Sequence, residues 1–298
     1  MIRHGTRPAK LDRRDYSFHR TFGTVSPLQF PPEYSCDAGL TMPDQNADGN
    51  PFECTAYTSC DLGTDQDGIV YAPEYTYMKT LYIQGLPSTQ QGSDVKFALK
   101  SAKIYGLLPK ENMPSELVGK GENYTADQGH WPVDVDTIAG KMEHRKGRYF
   151  NVYDDGGMDW FDSFRSALWL NKDDKRGISI GTPWFHEWAT PQNGVVTSNF
   201  IYDGNPMNYA WHNWAIKGWK VIDGKIYLMG KPWQGKNYGD NGWCYFSRET
   251  IHKVMEIRGS IAYTLADAEL KDIQSIQLGM LETVLVYLYR ILGLIRYA

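Results

Sequence analysis

The sequence predicts an α+β protein in which a helical part precedes a β-rich part. Between residues 50 and 118, apolar side chains recur at helical spacing in several segments. From Arg176 onward, the pattern changes to short β-like runs that are separated by Gly, Asp and Asn. Because each part must bury an apolar face, a cleft between the two is a natural place for a functional site.

The elements along the chain divide it into four predicted parts. The first stretch is rich in Pro, Gly and Asp and shows little periodicity, which is typical of an extended arm. The segment GSDVKFALKSAKIYG has helical spacing and ends at Gly106, and MDWFDSFRSALWL predicts a later helix. The division is an N-terminal arm (1–49), a helical part (50–118), a β-rich part (119–260) and a C-terminal apolar helix (261–298).

Composition excludes several classes of protein. The chain has 298 residues, of which 42% are hydrophobic, so it can bury a substantial core. Its net charge is -4 at pH 7, and we therefore do not expect it to bind nucleic acid. The N-terminus, MIRHGTRPAKLDRRDYSFHR, has no apolar core, so no secretory signal is predicted and we expect a cytoplasmic protein.

The cysteines do not form a recognisable metal or disulfide pattern. Their spacing is not that of a zinc site, so no metal or cofactor is predicted. They are too few for a disulfide scaffold, although a Cys36–Cys60 bridge stays open as an alternative to reduced thiols. The four are Cys36, Cys54, Cys60 and Cys244.

The stretch NPFECTAYTSC predicts a helix over residues 51–62 with a cysteine in its first turn. Asn50 is a good N-cap, Pro51 suits the first helical position, and Glu53 suits a capping box. Cys54 would then lie at the positive end of the helix macrodipole, which favours the nucleophilic thiolate. The alternative is that Cys54 is a small buried core residue, a common place for cysteine.

A histidine in the β-rich part supplies a possible base. His212 opens a hydrophobic strand that ends at Gly218-Trp219, and Asp223-Gly224 predicts the hairpin that follows. A histidine at a strand edge is more often structural than catalytic. However, Cys54 precedes His212 by 158 residues, and this order and approximate spacing are typical of papain-like enzymes.

Five segments in the same order carry a resemblance to papain-like cysteine peptidases, of the sort found in bacteria and their viruses. ECTAYT resembles the nucleophile helix, and WHNWAIKGW resembles the strand with the catalytic histidine. KPWQGKNYGDNGWCYF is similar to the stretch that follows that strand. The family's entry into the mature domain is resembled by PPEYSCDAGLTMPDQ. The helix after the substrate-binding glycines is resembled by GSDVKFALKSAKIYGLLPKENMP. Together they cover roughly residues 15–250.

The resemblance implies a two-lobed fold, a helical lobe and an antiparallel β lobe with a cleft between them, and assigns roles to particular residues. Cys54 takes the position of the nucleophile and His212 that of the general base. Gln45 would donate to the oxyanion together with the backbone N–H of Cys54. The expected groove residues are Gly92, Ser93, Trp211 and Trp233, of which Trp233 would also cover the third catalytic position.

Two departures from the family pattern leave alternatives open. Gln45 lies nine residues before Cys54, farther than in the family, so Asn46, Asp48 or Asn50 compete for the oxyanion role. Lys231 stands where the family has the asparagine that orients the histidine, and it is the candidate for the third position. Because a lysine cannot accept a hydrogen bond, the site either uses a Cys–His dyad or has another orienting group, such as the Gly230 carbonyl.

The sequence thus predicts a peptidase that cleaves a protein or peptide substrate. One alternative is a papain-fold protein that has lost activity and serves as a component of a larger assembly. If the chain is encoded by a phage, that assembly would be the virion. Another is a transglutaminase-like or peptidoglycan-amide hydrolase, which would share the Cys–His chemistry.

The C-terminal residues 266–298 lie outside the resemblance. Apolar residues recur there at spacings of three and four, which predicts an amphipathic helix. Glu282 and Arg290 interrupt the apolar run, so a membrane span is not favoured. Packing in cis is one alternative, and we expect instead homo-oligomerisation or docking in an assembly. The stripe consists of Ile273, Ile276, Met280, Val284, Leu288, Ile291 and Ile295.

Overall fold

The computed structural model confirms the predicted α+β class. It combines helices with a sheet that is antiparallel except for one pair of strands. The residues it describes are 6–9, 15–39, 44–45, 47, 52–87, 91–113, 133–142, 148–152 and 158–266.

The helices within the described residues gather mainly in the first half of the chain. Among them α2, α3 and α4 pack against one another, and α2 also packs against the sheet. These three helices lie within residues 50–118, the part that the sequence predicted to be helical. The helices are α1 (Phe18–Phe22), α2 (Cys54–Asp67), α3 (Pro73–Ile83), α4 (Val95–Tyr105), α5 (Val133–Ala139), α6 (Trp160–Leu170) and α7 (Arg248–Met255).

The start of α2 corrects the sequence prediction. The helix begins at Cys54, and Glu53 occupies the N-cap position without capping the helix through its side chain. The predicted start at residue 51, with Asn50 as the cap, is therefore wrong, and Asn50 and Pro51 lie outside the described residues. The pair Asn-Pro is as typical of a turn as of a helix start, so the pattern alone did not fix the first helical residue.

The strands form one sheet with the order β2-β8-β3-β5-β6-β7-β4, and β1 pairs with β5. Strand β5 lies at its centre, antiparallel to β3 and β6, with Thr182 directly opposite His212. The strands are β1 (Tyr34–Ser35), β2 (Arg148–Asn151), β3 (Ile178–Pro183), β4 (Val195–Val196), β5 (Trp211–Ile222), β6 (Lys225–Lys231), β7 (Cys244–Phe246) and β8 (Ile261–Ala266).

The N-terminal arm contributes to this sheet, because β1 pairs with β5 at Gly218 and Trp219. Any side chain at residue 218 would collide with the carbonyl oxygen of Tyr34, so this close approach requires glycine. This pairing fixes Tyr34 and Ser35 beside the strand that begins with Trp211 and His212.

The C-terminal boundary also needs correction. The sequence predicted a C-terminal helix from residue 261. Strand β8 pairs with both β2 and β3, however, so residues 261–266 belong to the sheet. The predicted stripe from Ile273 to Ile295 lies outside the described residues. Among the described helices, none has the length and apolar character that crossing a bilayer requires. Cys36 and Cys60 are separate buried thiols, so the alternative of a bridge between them is wrong.

Candidate active site

Cys54 is completely buried and is the first residue of α2. In the first turn of the helix, the backbone N–H groups of Ala56 and Tyr57 both donate to the carbonyl of Glu53. The N–H groups of a first helical turn have no acceptor within the helix and carry the positive end of its dipole. The local structure therefore places the thiol where a negative charge is favoured, as the sequence predicted.

His212 is the second residue of β5 and is also completely buried. Its Nε2 atom lies 2.6 Å from the carbonyl oxygen of Pro232. Because a carbonyl only accepts, Nε2 must carry the proton, and a neutral ring then has its lone pair on Nδ1. The rings of Trp184 and Trp214 flank the imidazole in edge-on contacts at 5.0 and 5.3 Å between centroids.

The side chain of Lys231 is engaged by an aspartate. Its Nζ atom lies 2.7 Å from Oδ1 of Asp37 and 4.6 Å from the centroid of the Trp243 ring. Burial alone raises the pKa of Asp37, but Lys217 and Lys231 hold that pKa below its usual value. The positive charge of Lys231 is therefore balanced by the carboxylate of Asp37.

Lys217 is the centre of a buried ionic cluster that the sequence analysis missed. Its Nζ atom lies 2.5 Å from Asp37, 2.7 Å from Asp61 and 2.7 Å from Asp65. Burial lowers the pKa of Lys217, but the three carboxylates outweigh burial and hold it above its usual value. The one available signal was two aspartates four residues apart, Asp61 on the predicted helix and Asp65 just beyond its predicted end.

Cation binding at this cluster is opposed by the lysine itself. The carboxylate oxygens of Asp37, Asp61 and Asp65 lie within 4.8 Å of one another, a spacing that would suit a metal ion. The Lys217 ammonium, however, lies within ion-pair distance of all three. The group therefore acts as a salt bridge between α2, β5 and the N-terminal arm.

Gln45 is connected to the segment that contacts His212. Its backbone N–H donates to the carbonyl of Trp233 at 3.3 Å, one residue after Pro232. The side chain is completely buried, and neither of its polar atoms has a hydrogen-bond partner among the described residues. A buried amide donor without a partner suits a group that would stabilise a transient oxyanion. The competing Asn46, Asp48 and Asn50 lie outside the described residues.

Gly92 and Ser93 are buried just before α4. The N–H of Gly92 donates to the hydroxyl of Tyr77 at 2.9 Å, and the hydroxyl of Ser93 contacts that of Thr55, the residue after Cys54. These contacts hold the two predicted groove residues against α2 and α3.

Residues 6–9 connect the helical part with the sheet at this place. The N–H of Thr6 donates to the carbonyl of Trp211 at 3.2 Å, and the N–H of Arg7 donates to the carbonyl of Ser93 at 3.2 Å. The hydroxyl of Thr6 lies 3.1 Å from the sulfur of Cys54. An extended piece of the chain thus pairs with two predicted groove residues and contacts the predicted nucleophile. No motif in the N-terminal sequence indicated this.

The two predicted groove tryptophans are both buried. The indole N–H of Trp211 donates to the carbonyl of Pro206 at 2.8 Å, which attaches the preceding loop to β5. The indole N–H of Trp233 donates to the hydroxyl of Thr58 at 3.0 Å, and its backbone has a φ of 60°. Trp233 packs in the apolar core beside Tyr57.

Cysteine proteases are among the solved structures with the same architecture. Xylellain, a cysteine protease from Xylella fastidiosa, matches with a TM-score of 0.62 and 15% identity, over 89% of this chain and 96% of that one. Procathepsin L 3 of Tenebrio molitor matches at 0.54 and 14%, over 84% and 75%. Bromelain from Ananas comosus, in complex with the E64 inhibitor, matches at 0.52 and 14%, over 80% and 100%.

The chain therefore has the papain-like fold. No family model matches the sequence, and none of the curated proteins compared with it matches either. The likeness to the solved structures is one of fold, because all of these identities are low.

Proposed function

We propose that this protein is a cysteine peptidase in which Cys54 is the nucleophile and His212 the general base. The observation that carries the proposal is the peptide-like position of residues 6–9. They pair through main-chain hydrogen bonds with Ser93 and Trp211, and Thr6 touches the sulfur of Cys54. Main-chain pairing of an extended segment is a general way to bind a peptide whatever its side chains.

The proposed reaction uses the groups described above. Nδ1 of His212 takes the thiol proton, and the Cys54 thiolate attacks the scissile carbonyl carbon, whose oxygen becomes an oxyanion. The Gln45 side-chain amide and the Cys54 backbone N–H donate to that oxyanion. Collapse breaks the C–N bond while the imidazolium protonates the leaving amine. Water, deprotonated by His212, then hydrolyses the thioester and restores the thiol, so the reaction needs no cofactor.

The test is hydrolysis of a mixture of protein substrates, with new N-termini identified by mass spectrometry. We expect Cys54→Ala and His212→Ala to abolish cleavage while thermal unfolding stays close to that of the unaltered protein. Cys60→Ala is the matched control, because Cys60 is another buried cysteine of α2 and should be dispensable for cleavage. Cleavage that survives in Cys54→Ala would refute the proposal.

The second candidate is a papain-fold binding component without activity. It is favoured by Lys231 at the position of the family's asparagine and by the complete burial of Cys54. An epoxysuccinyl peptide separates the two, because covalent labelling of Cys54 requires both an activated thiolate and a peptide site. A transglutaminase-like or peptidoglycan-amide reaction would instead show amine incorporation or release of cell-wall peptides by the same Cys54-dependent chemistry.

A further inference from the structure

We infer that the backbone carbonyl of Pro232 orients the imidazole of His212, and that Trp233 is the positioning residue that holds this carbonyl in place. The inference rests on the proposed function and specifies its third group. It assigns to the main chain a role that the resemblance to papain-like peptidases places at residue 231.

The contact between the ring and the carbonyl is short and buried. Nε2 of His212 lies 2.6 Å from the Pro232 oxygen, and both residues are buried. A carbonyl cannot donate, so the contact selects the tautomer with the proton on Nε2. That tautomer keeps the Nδ1 lone pair, which the proposed base needs. Protonation of Nδ1 then strengthens the bond at Nε2, since charged donors form stronger hydrogen bonds.

The backbone of Trp233 is held in an unfavourable conformation directly after this carbonyl. Its φ of 60° lies in the left-handed region, which a bulky residue adopts only when its surroundings enforce it. The indole N–H of Trp233 donates to the hydroxyl of Thr58 at 3.0 Å, and the carbonyl of Trp233 accepts from the N–H of Gln45 at 3.3 Å. These two bonds hold the side chain and the main chain of the strained residue, and thereby restrict rotation of the preceding peptide, which carries the Pro232 carbonyl.

The anchor of Trp233 belongs to the same helix as the nucleophile. Thr58 follows Cys54 by one helical turn, and residues four apart lie on the same face of a helix. Residues 232–233, directly after β6, therefore contact the helix of Cys54, the imidazole of His212 and the backbone of Gln45. Lys231, the residue before Pro232, pairs with Asp37 and is not needed for this connection.

The test compares two substitutions that release Trp233 with one matched control. Trp233→Phe removes the indole donor, and Thr58→Val removes its acceptor with little change in shape. Trp219→Phe is the control, because the indole of Trp219 also donates a 3.0 Å hydrogen bond in a buried site, to the Pro31 carbonyl. Thr58→Ser keeps the acceptor and should behave like the unaltered protein.

Two readouts separate positioning from a merely structural role. The first readout is the pH profile of kcat/KM, with kcat and KM also measured separately. Both releasing variants should lower kcat by about tenfold or more, leave KM nearly unchanged and shift the acid limb of the pH profile. The second is nitrogen–proton NMR of the imidazole of His212, assigned by difference from the His212→Ala spectrum. It should show the proton on Nε2 in the unaltered protein and a smaller Nε2-protonated fraction in both variants.

A double substitution makes the test sharper. If Trp233 and Thr58 act through one hydrogen bond, the double variant should be no worse than either single variant. The inference is overturned if the releasing variants behave like Trp219→Phe, or if Nε2 of His212 carries no proton in the unaltered protein. The second result decides the matter even when a variant fails to fold.

The outcomes also distinguish this inference from the proposed function. Peptide cleavage with unchanged pH profiles in both variants would overturn the positioning and leave the peptidase standing. An Nε2 proton that responds to both substitutions, in a protein that cleaves no peptide, would support the positioning and refute the peptidase.

Discussion

The hydroxyl of Thr6 lies 3.1 Å from the sulfur of Cys54, although 48 residues separate them in the sequence. The same residue donates its backbone N–H to Trp211, the neighbour of His212. Thr6 therefore contacts the thiol at the place where a peptide substrate is proposed to bind.

Removal of residues 1–9 should expose Cys54 and raise its rate of alkylation several-fold. The reason is that Thr6 contacts the sulfur of the buried Cys54, and removing this contact opens one side of the thiol. The rate is measured by mass spectrometry of iodoacetamide-labelled peptides. Cys60 supplies the internal control, and an unchanged Cys54 rate would show that residues 6–9 do not limit access.

Lys231→Ala should leave peptide hydrolysis within about tenfold of the unaltered protein, which corresponds to about 1.4 kcal/mol of barrier. Lysine cannot accept the imidazole hydrogen bond, and its ammonium is bound to Asp37. His212→Ala, measured in parallel as kcat/KM, sets the scale for loss of a catalytic group. A loss on the order of a thousandfold in Lys231→Ala would mean that the lysine itself takes part.

Lys217→Met should destabilise the fold by roughly 3–5 kcal/mol, because it leaves Asp61 and Asp65 buried without their counter-charge, whereas Asp37 keeps Lys231. Urea unfolding measures the change. Lys220→Met is the comparison, since Lys220 is partly exposed and lies 3.9 Å from Asp240, and should cost about 1 kcal/mol or less. Equal effects of the two substitutions would show that the buried cluster contributes little.

Asp65 should make the stability fall as the pH rises from about 4 to about 7. Burial, and then the nearby Asp61, raise the pKa of Asp65 to about 7 in the folded protein. An unfolded aspartate has a pKa of about 3.9, so in this interval the folded state binds more protons than the unfolded state. The stabilisation is complete below about pH 4 and is lost as the pH rises through 7.

Asp65→Asn tests this pH dependence, because asparagine cannot ionise. Urea unfolding of this variant between pH 4 and 7 should show a flatter dependence on pH than the unaltered protein. Identical slopes would mean that Asp65 does not hold its proton in the folded state.

The sequence was sufficient for the class of fold, the helix of Cys54 and the strand of His212, because local patterns dominate these features. It missed the contacts of Thr6 with Cys54 and of Lys217 with Asp37, which join residues 48 and 180 positions apart. No local pattern records such pairs. The order of the motifs predicted that Lys231 stands at the third catalytic position, but it could not predict where its side chain points. The ion pair with Asp37 determines that direction. The start of α2 was missed because Asn-Pro is ambiguous between a cap and a turn.

The proposed thiolate–imidazolium pair is tested most directly by the rate of Cys54 alkylation between pH 4 and 9. It is measured in the full-length chain and the chain without residues 1–9, each with and without His212→Ala. Burial raises the pKa of Cys36, Cys60 and Cys244, so these thiols should react slowly at pH 6. We predict that, in the chain without residues 1–9, Cys54 reacts fastest of the four cysteines at pH 6. His212→Ala should remove its reactivity below pH 7. Equal labelling of all four cysteines, or a Cys54 profile unchanged by His212→Ala, would contradict the pair.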